Sequence, residues 1–456
     1  MKLFTRRDAL VAGTAGMAIL ASGASRDAVA QTIGGNLLRA GKPLAGKTVS
    51  FISLNYTYSA GLKTLAPEFE KATGIKVNFD LLGTLDNIQK QRLELSAGSG
   101  GLDVYQIPPF NRAEYHRAGW LEPLNSYMDN PNLTPAVWDK ADFFPVSLEQ
   151  GRSKSTQFDL PIFAATIVLY WRKDVFEKAG LKGPPKTLDD MLAAAKVIKE
   201  KVPDIAPVGL RGAPGIEANM WPFPIFLYSY GGNFFKDFPT DMRPAIDNKG
   251  SIDAVTMWST MVKDYGFPGM VNATHEELIV NMQQGRVAMV LDGHPLAGVF
   301  LNKEKSKSFG NTGVAPIPSG PAGLFPAFSE HGIAIAKNSG NKEAAWEFVK
   351  WATSKDVQLR IAIDGNYVAA TRRSVVSDPA YRSKYNFADG DLLDATQQML
   401  ERRKPTYIPA LPEWSQLADV IGNQVSRATL GSSSPTEAMK AAANGMDAIL
   451  RRAKYY

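Results

Sequence analysis

The sequence contains no cysteine among its 456 residues. This absence excludes disulfide bonds, thiol catalysis, cysteine-ligated iron–sulfur clusters and a lipid anchor on an N-terminal cysteine. Long apolar runs are missing too, because no stretch reaches the roughly 18 continuous apolar residues that a transmembrane helix needs. Histidine is scarce, and the four histidines form no close pair. We therefore expect no membrane insertion, no cofactor and no metal site.

A strong excess of charge of one sign is also missing. The net charge is +6, and the lysines and arginines are mostly interspersed with acidic residues. This pattern is typical of a solvated surface and argues against a nucleic-acid partner. An apolar content of 45% and a charged content of 21% are ordinary for a soluble globular protein.

The motifs of two common hydrolase classes are absent. Neither H-E-x-x-H nor G-x-S-x-G occurs, which disfavours a zinc protease and a serine hydrolase. We therefore predict no catalytic residues. A glycosidase needs only two carboxylates, so an exported carbohydrate-active enzyme stays open as an alternative, with Glu217, Asp292 and Glu330 as its candidate carboxylates.

The first thirty residues have the features of an export signal. Residues 5–10, T-R-R-D-A-L, are similar to a twin-arginine motif, and a weakly apolar stretch follows at residues 11–24. Residues 28–30, A-V-A, match a signal-peptidase cleavage site. We expect a signal peptide over residues 1–30, cleaved near Ala30, and a soluble periplasmic protein without a lipid anchor.

The mature chain begins with a strand–helix–strand pattern. Residues 47–54 predict a strand, residues 61–72 an amphipathic helix and residues 76–82 a second strand. Such a unit predicts a parallel sheet, in which ligands lie beyond the carboxyl ends of the strands. This makes the residues that follow the first strand binding candidates: Asn55, Tyr56 and Tyr58.

An apolar run rich in β-branched and aromatic residues, from Leu160 to Trp171, predicts a buried strand. A short helix follows and ends at Gly180, which can adopt a positive φ. Thr187 then has the position of an N-cap residue, with Asp190 at the third helical position. Because the chain is long enough for two lobes of about 200 residues, we interpret this stretch as a passage from the first lobe into the second.

Several segments in order carry a resemblance to a known family. They are F-E-K-A-T-G-I-K-V at 69–77, G-W-L-E-P-L at 119–124, Y-x-R-K-D-x-F-x-K-A-G-L-x-x-P-P-K-T at 170–187, A-W-E-F-x-K-W-x-T-S at 345–354 and P-E-W at 412–414. Together they resemble the family 1 extracellular solute-binding proteins, the sugar-binding subunits of ABC importers, which are similar to maltose-binding-type proteins. The resemblance covers roughly residues 46–452.

The resemblance implies an α/β fold with two lobes, the type II periplasmic binding protein fold. Each lobe would contain a mixed sheet flanked by helices, and a hinge of several segments would join them. The N-terminal lobe would comprise residues 31–163 and 317–353, and the C-terminal lobe residues 164–316 and 354–456. The chain would thus pass between the lobes three times.

The resemblance also implies a ligand site between the lobes. Aromatic side chains would lie against the C–H faces of a saccharide, and polar side chains would bind its hydroxyls. At one turn, where family members often carry an aromatic residue, this chain has His294 and Pro295. The candidate ligand-binding residues are Asn55, Tyr56, Tyr58, Phe110, Asn111, Arg112, Glu217, Asn219, Trp221, Gly232, Asp292, His294, His331 and Trp414.

These expectations describe a monomeric periplasmic protein that captures a carbohydrate, either a mono- or oligosaccharide or a polyol, and delivers it to the permease subunits of an ABC importer. A second interpretation is an anionic sugar derivative, such as a sugar phosphate, a uronate or a glycerol phosphodiester. Arg112 and His294 would matter more for such a ligand. The exported enzyme is the third.

Overall fold

The computed structural model of the protein describes residues 37–300, 302–404 and 406–456. The expected signal peptide, residues 1–30, lies outside these ranges. Among the described residues, no helix has the length and apolar character needed to cross a membrane.

Strands of the described chain belong to two main sheets and two short hairpins. Their bounds are β1 Thr48–Leu54, β2 Lys76–Leu82, β3 Val104–Ile107, β4 Arg152–Ser153, β5 Thr156–Gln157, β6 Asp159–Ala165, β7 Ile167–Arg172, β8 Ala206–Gly209, β9 Phe235–Asp237, β10 Asp241–Pro244, β11 Val287–Gly293, β12 Thr312–Ala315 and β13 Ser329–Ile335.

Helices flank both main sheets. Their bounds are α1 Thr57–Thr73, α2 Thr84–Ala97, α3 Arg112–Ala118, α4 Asn125–Met128, α5 Pro145–Gln150, α6 Lys173–Ala179, α7 Leu188–Lys201, α8 Phe223–Ser229, α9 Lys249–Tyr265, α10 His275–Gln283, α11 Ala297–Phe300, α12 Lys342–Ala352, α13 Lys355–Gly365, α14 Arg373–Val376, α15 Pro379–Lys384, α16 Asp391–Glu401, α17 Trp414–Thr429 and α18 Pro435–Arg452.

The first main sheet has the strand order β2-β1-β3-β13-β6. Strand β1 pairs in parallel with β2 and β3, which confirms the βαβ unit expected from the sequence. Strand β13 runs antiparallel to both β3 and β6, so the sheet is mixed. Helix α12 covers β1 and β13, and its Phe348 lies 5.4 Å, between ring centroids, from Phe51 of β1.

The second main sheet has the strand order β12-β7-β11-β8. Strand β11 is parallel to β8 and antiparallel to β7, and all of its residues are buried. Helices α8 and α9 pack beside this sheet, with Trp258 fully buried between Phe223 and Phe226 at ring-centroid distances of 5.7 and 5.3 Å. Each main sheet therefore has its own helical cover and its own aromatic core.

The first passage between the sheets lies inside the apolar run that predicted a single strand. The run forms two strands, β6 in the first sheet and β7 in the second, and only Thr166 separates them. Thr166 donates from its hydroxyl to Ala327 O at 2.7 Å and from its N–H to His294 Nδ1 at 3.2 Å. From Leu160 to Trp171 both strands are apolar on both faces. The hydrophobic periodicity of the sequence therefore does not show where the chain passes from one sheet to the other.

The local signals that follow this run are confirmed. Gly180 ends α6 with φ 75°. Thr187 accepts a hydrogen bond from the N–H of Asp190, whose carboxylate accepts from the N–H of Thr187, which makes a reciprocal capping box at the start of α7.

Backbone contacts of residues 319–326 and the packing of α13 bear on where the two later passages between the sheets lie. Residues 319–326 stay beside the second sheet, where Ser319 N donates to Lys186 O and Ala322 N donates to Ser229 O. Helix α13 packs against α1 of the first sheet. We therefore propose that the second passage lies near residue 327 and the third between α15 and α16.

Arg372 holds this C-terminal part of the first lobe in place. Its side chain is fully buried, and it donates to Thr353 O at 2.6 Å, to Asp139 O at 2.9 Å and to Asp142 Oδ2 at 3.2 Å. Its guanidinium carbon lies 3.9 Å from the ring centroid of Phe143. Arg372 thus ties three segments together: its own, residues 139–143 and the end of α12 at Thr353.

We predict that Arg372→Met lowers the free energy of unfolding by about 3 kcal/mol, because it leaves Asp142 and two carbonyls without a cationic partner. Urea unfolding followed by circular dichroism measures this change. The matched control is Arg373→Met at the exposed neighbouring position, which should change the free energy by less than about 0.5 kcal/mol. Equal losses in both variants would contradict the assignment.

Candidate ligand-binding site

Polar residues of the first lobe meet where its strands end. Tyr56 follows β1, Asn111 and Arg112 follow β3, and Glu330 and His331 lie at the start of the antiparallel strand β13. The carboxyl ends of β1 and β3 share one edge of the sheet with the amino end of β13, so these five residues lie on the same side.

Arg112 is the centre of a buried ionic network at this edge. Its Nε and Nη2 donate to both carboxylate oxygens of Asp159 at 2.9 and 3.0 Å. Nη2 also donates to Glu330 Oε2 and to the backbone oxygen of Glu330, both at 3.1 Å. His116 Nε2 lies 3.6 Å from Asp159 Oδ2. The bidentate geometry fixes the guanidinium and leaves one oxygen of Glu330 for another partner.

A glycine makes room for this network. A Cβ at Gly332 would lie 1.8 Å from Asp159 Oδ1, so only glycine permits the carboxylate to approach the backbone of β13. The pairing of β13 with β6 also shifts between His331 and Gly332. Such a bulge changes the direction of neighbouring side chains and is common beside binding sites.

The two acids of the network have opposite pKa shifts. Burial alone would raise the pKa of Asp159, but Arg112 and His116 outweigh it, and the net shift is downward. Burial raises the pKa of Glu330 above its usual range, and Arg112 offsets only part of this rise. Burial, together with the charge of Arg112, lowers the pKa of His331 to about 3. At neutral pH the network thus holds Asp159 charged and His331 neutral.

Tyr56 stands beside the network in an aromatic cluster. Its ring lies 5.4 Å from that of Phe163 and 6.2 Å from that of His331, between centroids. His331 Nδ1 is paired with the side-chain amide of Gln106. The hydroxyl oxygen of Tyr56 is buried without a hydrogen-bond partner. Asn55, one residue earlier, is exposed.

The second lobe presents a similar arrangement after β8. Arg211 donates to both carboxylate oxygens of Asp292 at 2.8 and 2.6 Å, and to the backbone oxygen of Glu217 at 2.9 Å. Part of the Glu217 side chain reaches solvent, but its Oε1 is enclosed and has no partner. Burial raises the pKa of Glu217 to about 7, although the charge of Arg211 opposes the shift.

Direct contacts join the two lobes at the mouth of this region. Arg117 of α3 donates to Glu413 Oε1 at 2.7 Å, and Asn111 Nδ2 lies 3.5 Å from Ser415 Oγ of α17. Both contacts connect α3 of the first lobe with the start of α17 in the second. The lobes therefore touch each other in this conformation.

Between the lobes lies a cavity of about 330 Å³, which we call the front cavity. It is bounded on the first-lobe side by Arg112, His116 and Glu330, and on the other side by the segment Ile408–Pro412. Ligand cavities in proteins usually enclose about 300–1,000 Å³, so the front cavity has the size of a small-molecule site. Among the described residues, no three histidine, aspartate or glutamate side chains are grouped to hold a metal ion.

Several residues of the front cavity and of the strand ends and segments described above carry buried polar atoms without a hydrogen-bond partner. An unpaired buried polar atom costs about 1–3 kcal/mol, so a cluster of them indicates that another molecule supplies the missing partners. They are Tyr56 Oη, Asn111 Oδ1, Glu330 Oε1, Glu217 Oε1 and Trp414 Nε1.

Some of the residues expected in the site have structural partners instead. Tyr58 lies in the first turn of α1, is fully buried and donates to Ala352 O. Asn219 binds Gly422 O and the N–H of Gly215 through its two side-chain atoms. Gly232 is buried, and its N–H donates to Leu227 O just after α8.

The remaining expected residues lie near the site but are largely enclosed. Trp221 is 5% exposed and packs edge-on against Tyr407, whose hydroxyl donates to Trp221 O. Trp414 packs 5.0 Å, between ring centroids, from Phe234, and Phe110 belongs to the first-lobe core. His294 lies behind the front cavity, and burial lowers its pKa to about 4. In this conformation no broad aromatic face is open to a ligand at these positions.

Sequence inspection missed several residues that build the site, notably Asp159, His116 and Arg211. Asp159 directly precedes the apolar run at 160–171 and is the first residue of β6. A charged residue at the start of a buried strand is a signal that could have identified it. Arg211 directly follows the short strand β8, at the same kind of position that identified Arg112. His116 lies one turn after Arg112 on α3 and carried no separate signal.

Comparison with known proteins agrees with this architecture. The family of bacterial extracellular solute-binding proteins matches residues 55–359. The mannitol-binding protein of Pseudomonas aeruginosa is 26% identical over 434 residues, which are 90% of this chain and 94% of that protein.

Two solved structures have the same fold. An ABC transporter solute-binding protein of Agrobacterium radiobacter in complex with ribitol matches with a TM-score of 0.81 and 24% identity, over 89% of this chain and all of that chain. Maltose-bound MalE3 of T. maritima matches with a TM-score of 0.79 and 23% identity, over 89% and 100% of the respective chains. The chain therefore has the two-lobed fold of the maltose-binding type.

Because the pKa of Glu217 is raised in the folded protein, we predict a pH dependence of the free energy of unfolding. The folded protein holds the Glu217 proton more tightly than the unfolded chain, in which the pKa of a glutamate is near 4.5. The contribution of Glu217 to the free energy of unfolding is therefore complete below about pH 4.5 and is lost as the pH rises to about 7. Glu217→Gln should remove this loss, so the variant should gain stability relative to the wild type over that pH range.

Urea unfolding of both proteins at several pH values between about 5 and 8 measures this difference. Glu200→Gln on the exposed face of α7 is the matched control and should show no pH-dependent difference. A constant gap between Glu217→Gln and the wild type across this range would contradict the assigned pKa.

Proposed function

The chain belongs to the family of bacterial extracellular solute-binding proteins, and from this premise we propose that it captures one small neutral carbohydrate or polyol between its lobes. It then delivers the ligand to the membrane subunits of an ABC importer. The observation that carries the proposal is the front cavity between the lobes, which is lined by Glu330 with an unpaired buried oxygen. Asn111, next to the lining residue Arg112, and Trp414, two residues after the lining residue Pro412, also carry unpaired buried polar atoms.

A polyhydroxylated ligand supplies the partners that these atoms lack. Each hydroxyl group can donate one hydrogen bond and accept others, so a sugar or polyol can donate to Asn111 Oδ1 and accept from Trp414 Nε1 at the same time. The first of these atoms belongs to the first lobe and the second to α17. Only a ligand held by both lobes satisfies both, which couples binding to closure of the cleft.

The size of the front cavity supports a ligand of monosaccharide size. Its volume of about 330 Å³ is at the lower end of the usual range for ligand cavities. The aromatic rings of Trp221 and Tyr58, which would stack on an oligosaccharide, are enclosed. The mannitol of the Pseudomonas relative and the ribitol of the Agrobacterium neighbour are small polyols of this kind.

The charge balance of the site supports a neutral ligand over the anionic derivatives that the sequence left open. Arg112 is already paired with Asp159 and Glu330, and Arg211 is paired with Asp292. Arg117, which also lines the front cavity, is paired with Glu413. Of the three arginines that line this cavity, only Arg152, which is exposed, has no carboxylate within ion-pair distance among the described residues.

We infer that the protein acts by binding and release without altering its ligand. Of the three candidate carboxylates, Asp292 binds Arg211 through both oxygens and Glu330 binds Arg112 through Oε2. Glu217 is thus the only one of the three without an arginine bound to its carboxylate, whereas a glycosidase needs two such groups. Family membership supports export from the cytoplasm, and residues 1–30 would be the signal that directs it. We also propose that the protein acts as a monomer in the periplasm.

A binding screen with ribitol, mannitol, glucose, maltose and glucose 6-phosphate tests the ligand class. We expect a neutral monosaccharide-sized compound to raise the melting temperature and to bind with a stoichiometry of about one in calorimetry, because a ligand that binds only the folded state stabilises it. Chromatography of the recovered ligand should show no product. Binding of glucose 6-phosphate alone, or turnover of a glycoside, would contradict the proposal.

Two adjacent tyrosines provide a matched pair of variants for the site. Tyr56→Phe removes a hydroxyl that has no partner in the protein, so the apo melting temperature should stay unchanged while ligand affinity falls about fivefold, as for loss of one hydrogen bond. Tyr58→Phe removes the hydroxyl that binds Ala352 O. It should lower the free energy of unfolding by about 1–3 kcal/mol and leave affinity unchanged.

Calorimetry with the ligand found in the screen, together with thermal unfolding of the apo proteins, measures both effects. The opposite pattern, in which Tyr58→Phe weakens binding and Tyr56→Phe does not, would place the ligand on the other side of the tyrosine pair.

A further inference from the structure

A second cavity of about 420 Å³ lies behind the front cavity, and we call it the rear cavity. Phe328 lies on the boundary of both cavities and separates them. The rear cavity is enclosed by α5, α14 and α15 on the first-lobe side and by α16 on the other side. It is therefore a distinct space formed by both lobes, and the proposed carbohydrate function does not use it.

The wall of the rear cavity is mainly apolar. Aliphatic and aromatic side chains line it from both sides, with polar contributions from Ser147, Ser377, Thr396, Gln397 and the buried His294. Such a surface can bind a hydrocarbon chain, but it lacks hydrogen-bond partners for most hydroxyls of a polyol. The principal apolar lining residues are Phe144, Ala164, Phe328, Val368, Leu393 and Leu400.

Positive charge is concentrated at the rim of the rear cavity. Arg373, Arg382 and Arg403 line it, against one acid, Glu401. Among the described residues none of the three arginines has a carboxylate within ion-pair distance, and Glu401 Oε1 already accepts from Gln397 on the same helix. Three guanidinium groups near an apolar space favour an anionic group at the rim.

Two polar atoms of the cavity wall lack partners. Arg403 donates from Nη1 to Leu400 O at 2.9 Å, and its guanidinium carbon lies 5.8 Å from the ring centroid of Phe328, but its buried Nε has no acceptor. The hydroxyl oxygen of Thr396, one helical turn before Leu400, is also buried and unpaired. A ligand with an acceptor group beside Arg403 would supply what this wall lacks.

We propose that the rear cavity is a binding site for a small amphipathic carboxylate, whose hydrocarbon chain lies among the apolar residues and whose carboxylate binds the arginines at the rim. The apolar wall would bind the hydrocarbon chain of the ligand. The excess of guanidinium groups, with the unpaired Arg403 Nε, would bind its negatively charged carboxylate. The site is independent of the carbohydrate function, because it shares only the back of Phe328 with the front cavity.

Octanoate serves as the probe, with octan-1-ol and octylamine as matched compounds of the same chain length. We expect saturable binding of octanoate to the full mature protein in calorimetry, and binding at least about tenfold weaker for octan-1-ol and octylamine. Equal binding of octanoate and octan-1-ol would overturn the role of the arginines. Absence of saturable octanoate binding would overturn the site.

Variants separate the two parts of the ligand. The double variant Arg373→Met and Arg382→Met changes two exposed residues and should weaken octanoate about tenfold without affecting octan-1-ol. Leu393→Trp fills the cavity and should abolish binding of both compounds. Arg427→Met, an exposed arginine of α17 outside the cavity, is the matched control and should change nothing.

Circular dichroism and thermal unfolding of each variant verify that it is folded. If Leu393→Trp does not fold, Thr396→Val at the same wall gives a second measurement of whether the probe lies there. Octanoate affinity that is unchanged in the double arginine variant, or equally reduced in Arg427→Met, would overturn the proposal. Failure of the carbohydrate screen would leave these outcomes unaffected, because they need no ligand in the front cavity.

Discussion

The buried ionic network around Arg112 is the constraint on which the binding region depends. Arg112 binds Asp159 and Glu330, which lie 47 and 218 residues away in the chain, so it joins α3 to β6 and β13. Charges removed from water must be paired, and breaking one such pair costs several kcal/mol. The network therefore holds the edge of the first sheet in one arrangement. It also presents Glu330 Oε1 to the space between the lobes.

Much of the architecture could be predicted from the sequence because its signals are local. The alternating strand at 76–82, the capping box of Thr187 and Asp190 and the positive φ of Gly180 follow from neighbouring residues, and the structure confirms them. The passage at Thr166 could not be predicted as a change of sheet. The residues from Leu160 to Trp171 on either side of it are apolar, and the hydrogen-bond partners of Thr166 are 128 and 161 residues away.

The site shows the same division between local and distant information. Strand ends identified Tyr56, Asn111 and Arg112 correctly as residues of one edge, since topology alone determines that position. Tyr58, like Tyr56, is a tyrosine that closely follows the first strand, and the sequence gives no reason to separate them. The first turn of α1 directs Tyr58 into the core, where it contacts Tyr367 and the end of α12. Packing determines the direction in which a side chain in the first turn of a helix points. A sequence pattern of two residues does not carry this information.

The single residue between β6 and β7 limits how the two lobes can move. Thr166 is a link of one residue, its hydroxyl is bonded to Ala327 and its N–H to His294 of the second lobe, so it permits a change of angle but no separation. The two lobes therefore open by rotation about a hinge at Thr166, and the distance between them increases most at the positions furthest from Thr166. Groups near that pivot, such as Glu330 and His331, move least, whereas the contact of Arg117 with Glu413 parts first. A departing molecule would be released from its outer end inwards.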